Sequence, residues 1–146
     1  MKSCFYQYRK GLYEALGLLG YSVYRHVPAD VSPPYIYIGD MNASPTEDNT
    51  VYSQEVTTEI HVVTEYFGDQ ADYTDADQMS DEVMQLLISK GRTDFERASA
   101  IDMDDFEMTP NQLISLSEQF TFDDVNKEVR QIITMVALID QKQDVS

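Results

Sequence analysis

The stretch from Val51 to Phe67, VYSQEVTTEIHVVTEYF, constrains the fold more than any other. It is rich in β-branched and aromatic residues and meets no Gly or Pro until Gly68, so it reads as one long β-strand. Alternation places Val56, Thr58, Ile60, Val62, Thr64 and Tyr66 on one face, which suits a core. Glu55, Thr57, Glu59, His61, Val63, Glu65 and Phe67 fall on the other, and its three carboxylates call for water or a hydrated partner. At ~3.3 Å per residue the run would span roughly 56 Å. A domain of this size is on the order of 40 Å across. The strand therefore either bends at a bulge or projects as one arm of a hairpin.

The rest of the chain supplies partners for that strand. Phe5, Tyr8, Leu12, Ala15, Leu16 and Leu19 recur at helical spacing and predict a helix over 3–19, with Ser3 as N-cap and Gly20 as its stop. Lys2, Arg9 and Lys10 cluster early in it, against the helix dipole. Tyr21–Val27 reads as a short strand ended by Pro28, and Pro33-Pro34 forbids regular pairing before the strand Tyr35–Asp40. Met41–Thr50 is polar and interrupted by Pro45, which predicts a loop. A second helix is expected over 73–89, with Asp72, Asp75 and Asp77 at its N-terminus and Lys90-Gly91 at its end. Residues 93–108 are ambiguous. Leu113–Phe120 and Val129–Ile139 read as strands, the last without clean alternation and so expected to be buried on both faces.

The order α-β-β-β-α-(β)-β-β implies an α+β fold: a mostly antiparallel sheet of four to five strands with two helices packed on one face. At 146 residues this is one domain, expected over 1–140 with a projecting loop at 41–52 and a C-terminal tail at 141–146.

Composition narrows the function. Ten basic against 26 acidic residues give a net charge of −16, which repels nucleic acid and anionic membrane. The single Cys4 sits in an apolar helical pattern and reads as a buried, inert thiol. There is no apolar run of transmembrane length, and the start of the chain lacks the apolar region of a signal peptide, so synthesis in the cytoplasm is expected. Asp102, Asp104, Asp105 and Glu107 bring four carboxylates together, but without the alternating acids, turn Gly and terminal Glu of a calcium loop they read as a solvated acidic segment. His26 and His61 lie on different predicted strands with no Cys partner and make no zinc site. No serine sits in a nucleophile elbow, and no glycine-rich phosphate loop occurs. Neither a catalytic nor a metal site is expected, and no cofactor; the sequence reads as that of a binding or structural protein rather than an enzyme. Ten tyrosines with no tryptophan fit an interface or simply core and rim packing.

The layout carries a resemblance. A helix ending in Leu19-Gly20-Tyr21 leads to a short strand and His26-Val27-Pro28. Then come Pro34-Tyr35-Ile36-Tyr37-Ile38-Gly39-Asp40, a loop, the long strand, and a helix near Asp72. Over residues 5–90 this resembles the small tail-completion or head–tail joining proteins of long-tailed bacteriophages. The last third agrees only in its strands. The resemblance implies a homo-oligomeric ring at the head–tail junction, a hexamer with a dodecamer as the alternative. Such a ring would contact connector or adaptor and tail-tube proteins, in the virion and in host cytoplasm during assembly, with no membrane partner. DNA would pass through without specific binding, because a carboxylate-lined wall repels phosphates. On that reading Glu47, Asp48, Glu55, Glu59 and Glu65 are expected to line the lumen. Tyr21, Val23, Tyr24, Leu113 and Ile114 are expected at the edges where subunits meet. The alternatives are another neck or connector ring component, or an acidic DNA mimic that inhibits a nucleic-acid enzyme.

Overall fold

The computed structural model describes residues 3–45, 53–66, 74–88, 101, 103, 105–108, 111–122 and 127–141. Helix α1 runs Phe5–Gly17 and buries Tyr8, Gly11, Leu12, Ala15 and Leu16 along one side. Its N-cap is Cys4 rather than Ser3, although the Ser3 hydroxyl accepts a hydrogen bond from the Phe5 N–H at 3.3 Å. Gly20, with φ of +86°, ends the turn that follows, as its left-handed conformation requires. Helix α2 runs Thr74–Leu87 and carries Asp75 and Asp77 in its first turn, where exposed backbone N–H groups favour negative charge.

Among the described residues six strands form one sheet: β1 (Val23–Tyr24), β2 (Tyr35–Pro45), β3 (Ser53–Glu65), β4 (Phe106–Met108), β5 (Gln112–Phe122) and β6 (Lys127–Gln141). The order across it is β1-β2-β3-β6, with β4 and β5 both on the far side of β6. Only β1 and β2 pair in parallel; the other pairs are antiparallel. The α+β class holds. The strands beyond the expected four to five are accounted for by the short β1 and β4, of two and three residues.

The long stretch is the centre of the sheet. β3 pairs with β6 over its full length, Ser53 opposite Asp140 to Glu65 opposite Glu128, and with β2 on its other side. Val56, Ile60 and Val62 of β3 join Tyr8, Leu12 and Leu16 of α1 and Met79, Val83 and Leu87 of α2 in one core. Both helices therefore cover the same face; no helix among the described residues covers the other, although Ser53 at one end of it and Val63 and Tyr35 at the other are buried.

Two expectations are corrected. Met41–Pro45 is not loop: it continues β2, paired with Gln54–Thr58 past a bulge between Ile38 and Met41. The bulge thus lies in the partner strand, where it re-aims β2 along β3, and not in the long strand, whose register against β6 is unbroken. And β6 is not buried on both faces. It alternates strictly, with Val129, Gln131, Ile133, Met135, Ala137 and Ile139 buried and the residues between them half-buried. Ile132, Val136 and Leu138 obscure that alternation in the sequence. They sit on the uncovered face, where cross-strand neighbours about 5 Å away shield part of each side chain.

A buried polar network ties the helices to the sheet. Tyr8 donates from its hydroxyl to Asn111 Oδ1 at 2.9 Å, and Asn111 Nδ2 donates to the Leu87 carbonyl at 2.9 Å. One asparagine thus fixes α1 against the end of α2 and the start of β5. Burial pushes the Tyr8 hydroxyl well above the usual range, so it stays a donor at any physiological pH.

Candidate functional site

The uncovered face of the sheet is where the charge lies. On β3 it carries Glu55, Thr57, Glu59, His61, Val63 and Glu65; on β6, opposite them, Leu138, Val136, Thr134, Ile132, Arg130 and Glu128. Glu55 and Glu65 are exposed and Glu59 is half-buried. Along a strand these carboxylates are about 13 Å and 20 Å apart, too far to share a metal ion or a proton. They form a row of separate negative charges. Glu47 and Asp48 lie outside the described residues.

At the middle of the face sits a knot of side chains that the sequence did not reveal. Arg130 Nη1 donates to His61 Nδ1 at 3.2 Å, which leaves Nε2 to carry the proton and face Glu59 Oε2 at 3.4 Å. Tyr37 packs edge-on against the imidazole, ring centroids 5.2 Å apart. Partial burial lowers the His61 pKa, assisted by the Arg130 charge and opposed by Glu59. The ring is therefore neutral at pH 7, and its contact with Glu59 is a hydrogen bond rather than an ion pair. Gly39 makes room for it: a Cβ there would lie 2.8 Å from His61 Nε2 and 2.9 Å from Cδ2. The Gly39 of the Pro-Tyr-Ile-Tyr-Ile-Gly-Asp segment is thus a close-approach glycine at the β2 bulge. Its position directly after the Tyr-Ile-Tyr-Ile run of the strand was the signal that could have found the cluster.

The proposed edge residues separate into two places. β1 is one margin of the sheet, but Val23 points into the core, Tyr24 packs edge-to-face on Tyr35 at 5.9 Å, and Tyr21 donates to Glu82 of α2 at 2.8 Å. That hydrogen bond raises the Tyr21 pKa. Leu113 and Ile114 lie on β5, at the opposite margin, and both are exposed.

Among the described residues no group of three His, Cys, Asp or Glu side chains is placed to hold a metal ion. Asp102 and Asp104 lie outside the described residues, and Asp105 is exposed. His26 is exposed in the bend after β1, on a different strand region from His61. Cys4 is buried, its thiol donating to Gln54 Oε1 at 3.4 Å, and burial raises its pKa. No helix among the described residues is long and apolar enough to cross a membrane.

Residues 12–113 match the family model of the tail completion protein gp17. The chain belongs to this family. Tail completion proteins are structural components of bacteriophage virions, not an enzyme family, and that is the class of this chain. The fold is similar to a solved chain described as "Virion of native gene transfer agent (GTA) particle". The TM-score is 0.62 at 16% identity, covering 94% of this tail completion protein and 92% of that chain. No curated protein sequence matches.

Proposed function

We propose that this tail completion protein closes with further copies into a ring at the head–tail junction, a hexamer in the simplest case. There it ends the tail, joins connector or adaptor proteins to the tail tube, and leaves a passage for DNA. The observation that carries the reading is the bare face of the sheet: no helix among the described residues covers it, and its charge is acidic. Glu55, Glu59 and Glu65, with Glu47 and Asp48 from the stretch of sequence between β2 and β3, would line the lumen. A wall of separate carboxylates offers phosphates no counterion-releasing contact, so duplex DNA slides past without gripping. At physiological ionic strength the repulsion is felt over about 8 Å, enough to hold DNA off the wall but not to bar a wide channel.

A ring needs two unlike surfaces on each subunit. On this reading they are the two margins of the sheet, with Tyr21 and Tyr24 beside the β1 backbone at one and Leu113 and Ile114 at the other, while Val23 stays in the core. The likeness to a chain from a virion particle is one of fold, and is compatible with this role.

Cryo-electron microscopy of purified particles, with this chain tagged at its C-terminus, tests the reading. A closed ring at the neck with the Glu59 face inward is the expected result. A ring with that face outward would remove the lumen assignment, and absence of the chain from particles would remove the function.

A further inference from the structure

β5 is built as an edge without its own cover. Every residue from Gln112 to Phe120 is exposed, on both faces of the strand. Yet Leu116 and Phe120 stand opposite Ile133 and Val129, which are fully buried, so they lie on the helix-covered face of the sheet. The reason is width. Two helices packed ~10 Å apart roof about four strands at ~4.8 Å spacing, and β5 lies beyond them. The result is an aliphatic and aromatic ledge, with Leu116 at 50% and Phe120 at 56% exposure, and Glu118 between them.

The opposite margin has the complementary character. Along α1, Phe5, Arg9 and Tyr13 fall at four-residue steps, and with Lys10 and Arg25 they line a groove of about 530 Å³. Arg9 sits over the Phe5 ring at 5.2 Å. Tyr13 also borders a second hollow of about 340 Å³ that runs on to Tyr21, Ser22, Val23 and Tyr24 at the β1 margin. Three of the ten cations of a chain with net charge −16 thus gather on one aromatic seam, with Glu14 the one acid in that groove.

We propose that the β5 ledge of one copy seats in the α1–β1 seam of the next. This rests on the ring reading and deepens it by naming the contact. Leu116 and Phe120 enter the groove, and Glu118 meets Arg9 and Arg25. The neighbour's α1 then roofs the strand that no helix of its own chain covers. The lengths agree: the ledge from Leu113 to Phe120 spans about 23 Å, and α1 from Phe5 to Gly17 about 18 Å. The two surfaces lie at opposite margins of one sheet, so the contact is head-to-tail and repeats from copy to copy, as a ring requires and a two-fold dimer does not. The occupant is a second copy because the seam is cationic and every copy presents to it an aliphatic ledge that carries one carboxylate, Glu118, whose Oε1 also accepts from Gln131 Nε2 at 2.9 Å.

Site-directed cross-linking tests this in a Cys4→Ala background. Tyr13→Cys and Leu116→Cys single variants are mixed, and the double variant is made separately, each in concentrated protein and in purified particles. A short bismaleimide should join Tyr13→Cys to Leu116→Cys copies, and the double variant should give a ladder. Arg9→Glu with Arg25→Glu should cut the yield about tenfold, and adding Glu118→Lys should restore most of it. Apart from the buried Cys4, whose change to Ala is shared by every variant, these positions are at least partly exposed in the subunit, and an unchanged circular dichroism spectrum verifies the fold. Absence of the Tyr13–Leu116 cross-link from both preparations, or cross-links only between like positions, overturns the docking. Native mass spectrometry separates the two readings. A closed assembly without this cross-link sinks the docking and leaves the ring, whereas no assembly in either preparation sinks both.

Discussion

β3 and β5 are both antiparallel partners of β6, one on each side, with ladders of similar length. Their surroundings differ completely. β3 buries Val56, Thr58, Ile60, Val62 and Thr64 beneath two helices, while every residue of β5 from Gln112 to Phe120 is exposed. Hydrogen-bonded pairing therefore does not decide where this fold is strong. Removal of apolar surface from water does, and within the single subunit β5 has little of it. Its apolar side chains are placed for a surface that the chain itself does not provide.

The widest test of that contrast is a matched pair of truncations. Ile60→Ala deletes a fully buried side chain at the centre of the core and should destabilise the subunit by about 3 kcal/mol. Leu116→Ala, the same kind of change opposite Ile133 on β5, should stay within about 0.5 kcal/mol. Urea unfolding of both variants measures the difference. Equal losses would mean that β5 is already covered in the isolated subunit.

Gly39→Ala probes the uncovered face at its tightest point. The added Cβ would meet the His61 ring at 2.8 Å, and Tyr37, Arg130 and Glu59 hold that ring in place. A loss of about 2 kcal/mol is expected from this overpacking, with a shift of the His61 ring resonances in NMR spectra. The same variant with His61→Ala should recover most of the loss. A smaller loss follows for Tyr8→Phe. It leaves the buried Asn111 Oδ1 without its donor and should cost about 1 kcal/mol in the same urea titration.

These contrasts also explain what could be read without coordinates. Both helices, the long strand and the core face Val56-Thr58-Ile60-Val62-Thr64 follow from periodicity, because one buried side leaves a clean pattern in sequence. β6 did not, since Ile132, Val136 and Leu138 place apolar groups on the uncovered face and erase the alternation. Met41–Pro45 reads as loop because Asn42, Ser44 and Pro45 are poor strand formers, yet pairing with β3 overrides that preference. The carboxylates of β3 were assignable to one face by counting. The His61–Arg130 contact was not, because it joins residues 69 apart in sequence through a register that only the fold defines. Likewise the exposure of β5 depends on how far two helices reach across a sheet, which no local pattern encodes.

The finest contrast between the two faces is their response to acid. The covered face holds its titratable Tyr8 and Cys4 with pKa values raised, so both stay neutral as pH falls. The uncovered face holds His61 with its pKa lowered, chiefly by partial burial. Between that lowered value and the ordinary 6.5 of the unfolded chain, the unfolded state binds more protons than the folded one. Stability from His61 is therefore fully present above about pH 6.5 and is lost as pH falls through the folded-state value. Protonation also puts a cation on Nδ1, the atom that accepts from Arg130, so the Arg130 contact must break. Unfolding free energy measured from pH 7.5 down to 5 should fall more steeply for the natural chain than for His61→Gln, which keeps the size but not the charge. Parallel slopes would show that the knot around Glu59, His61 and Arg130 carries no proton-linked stability.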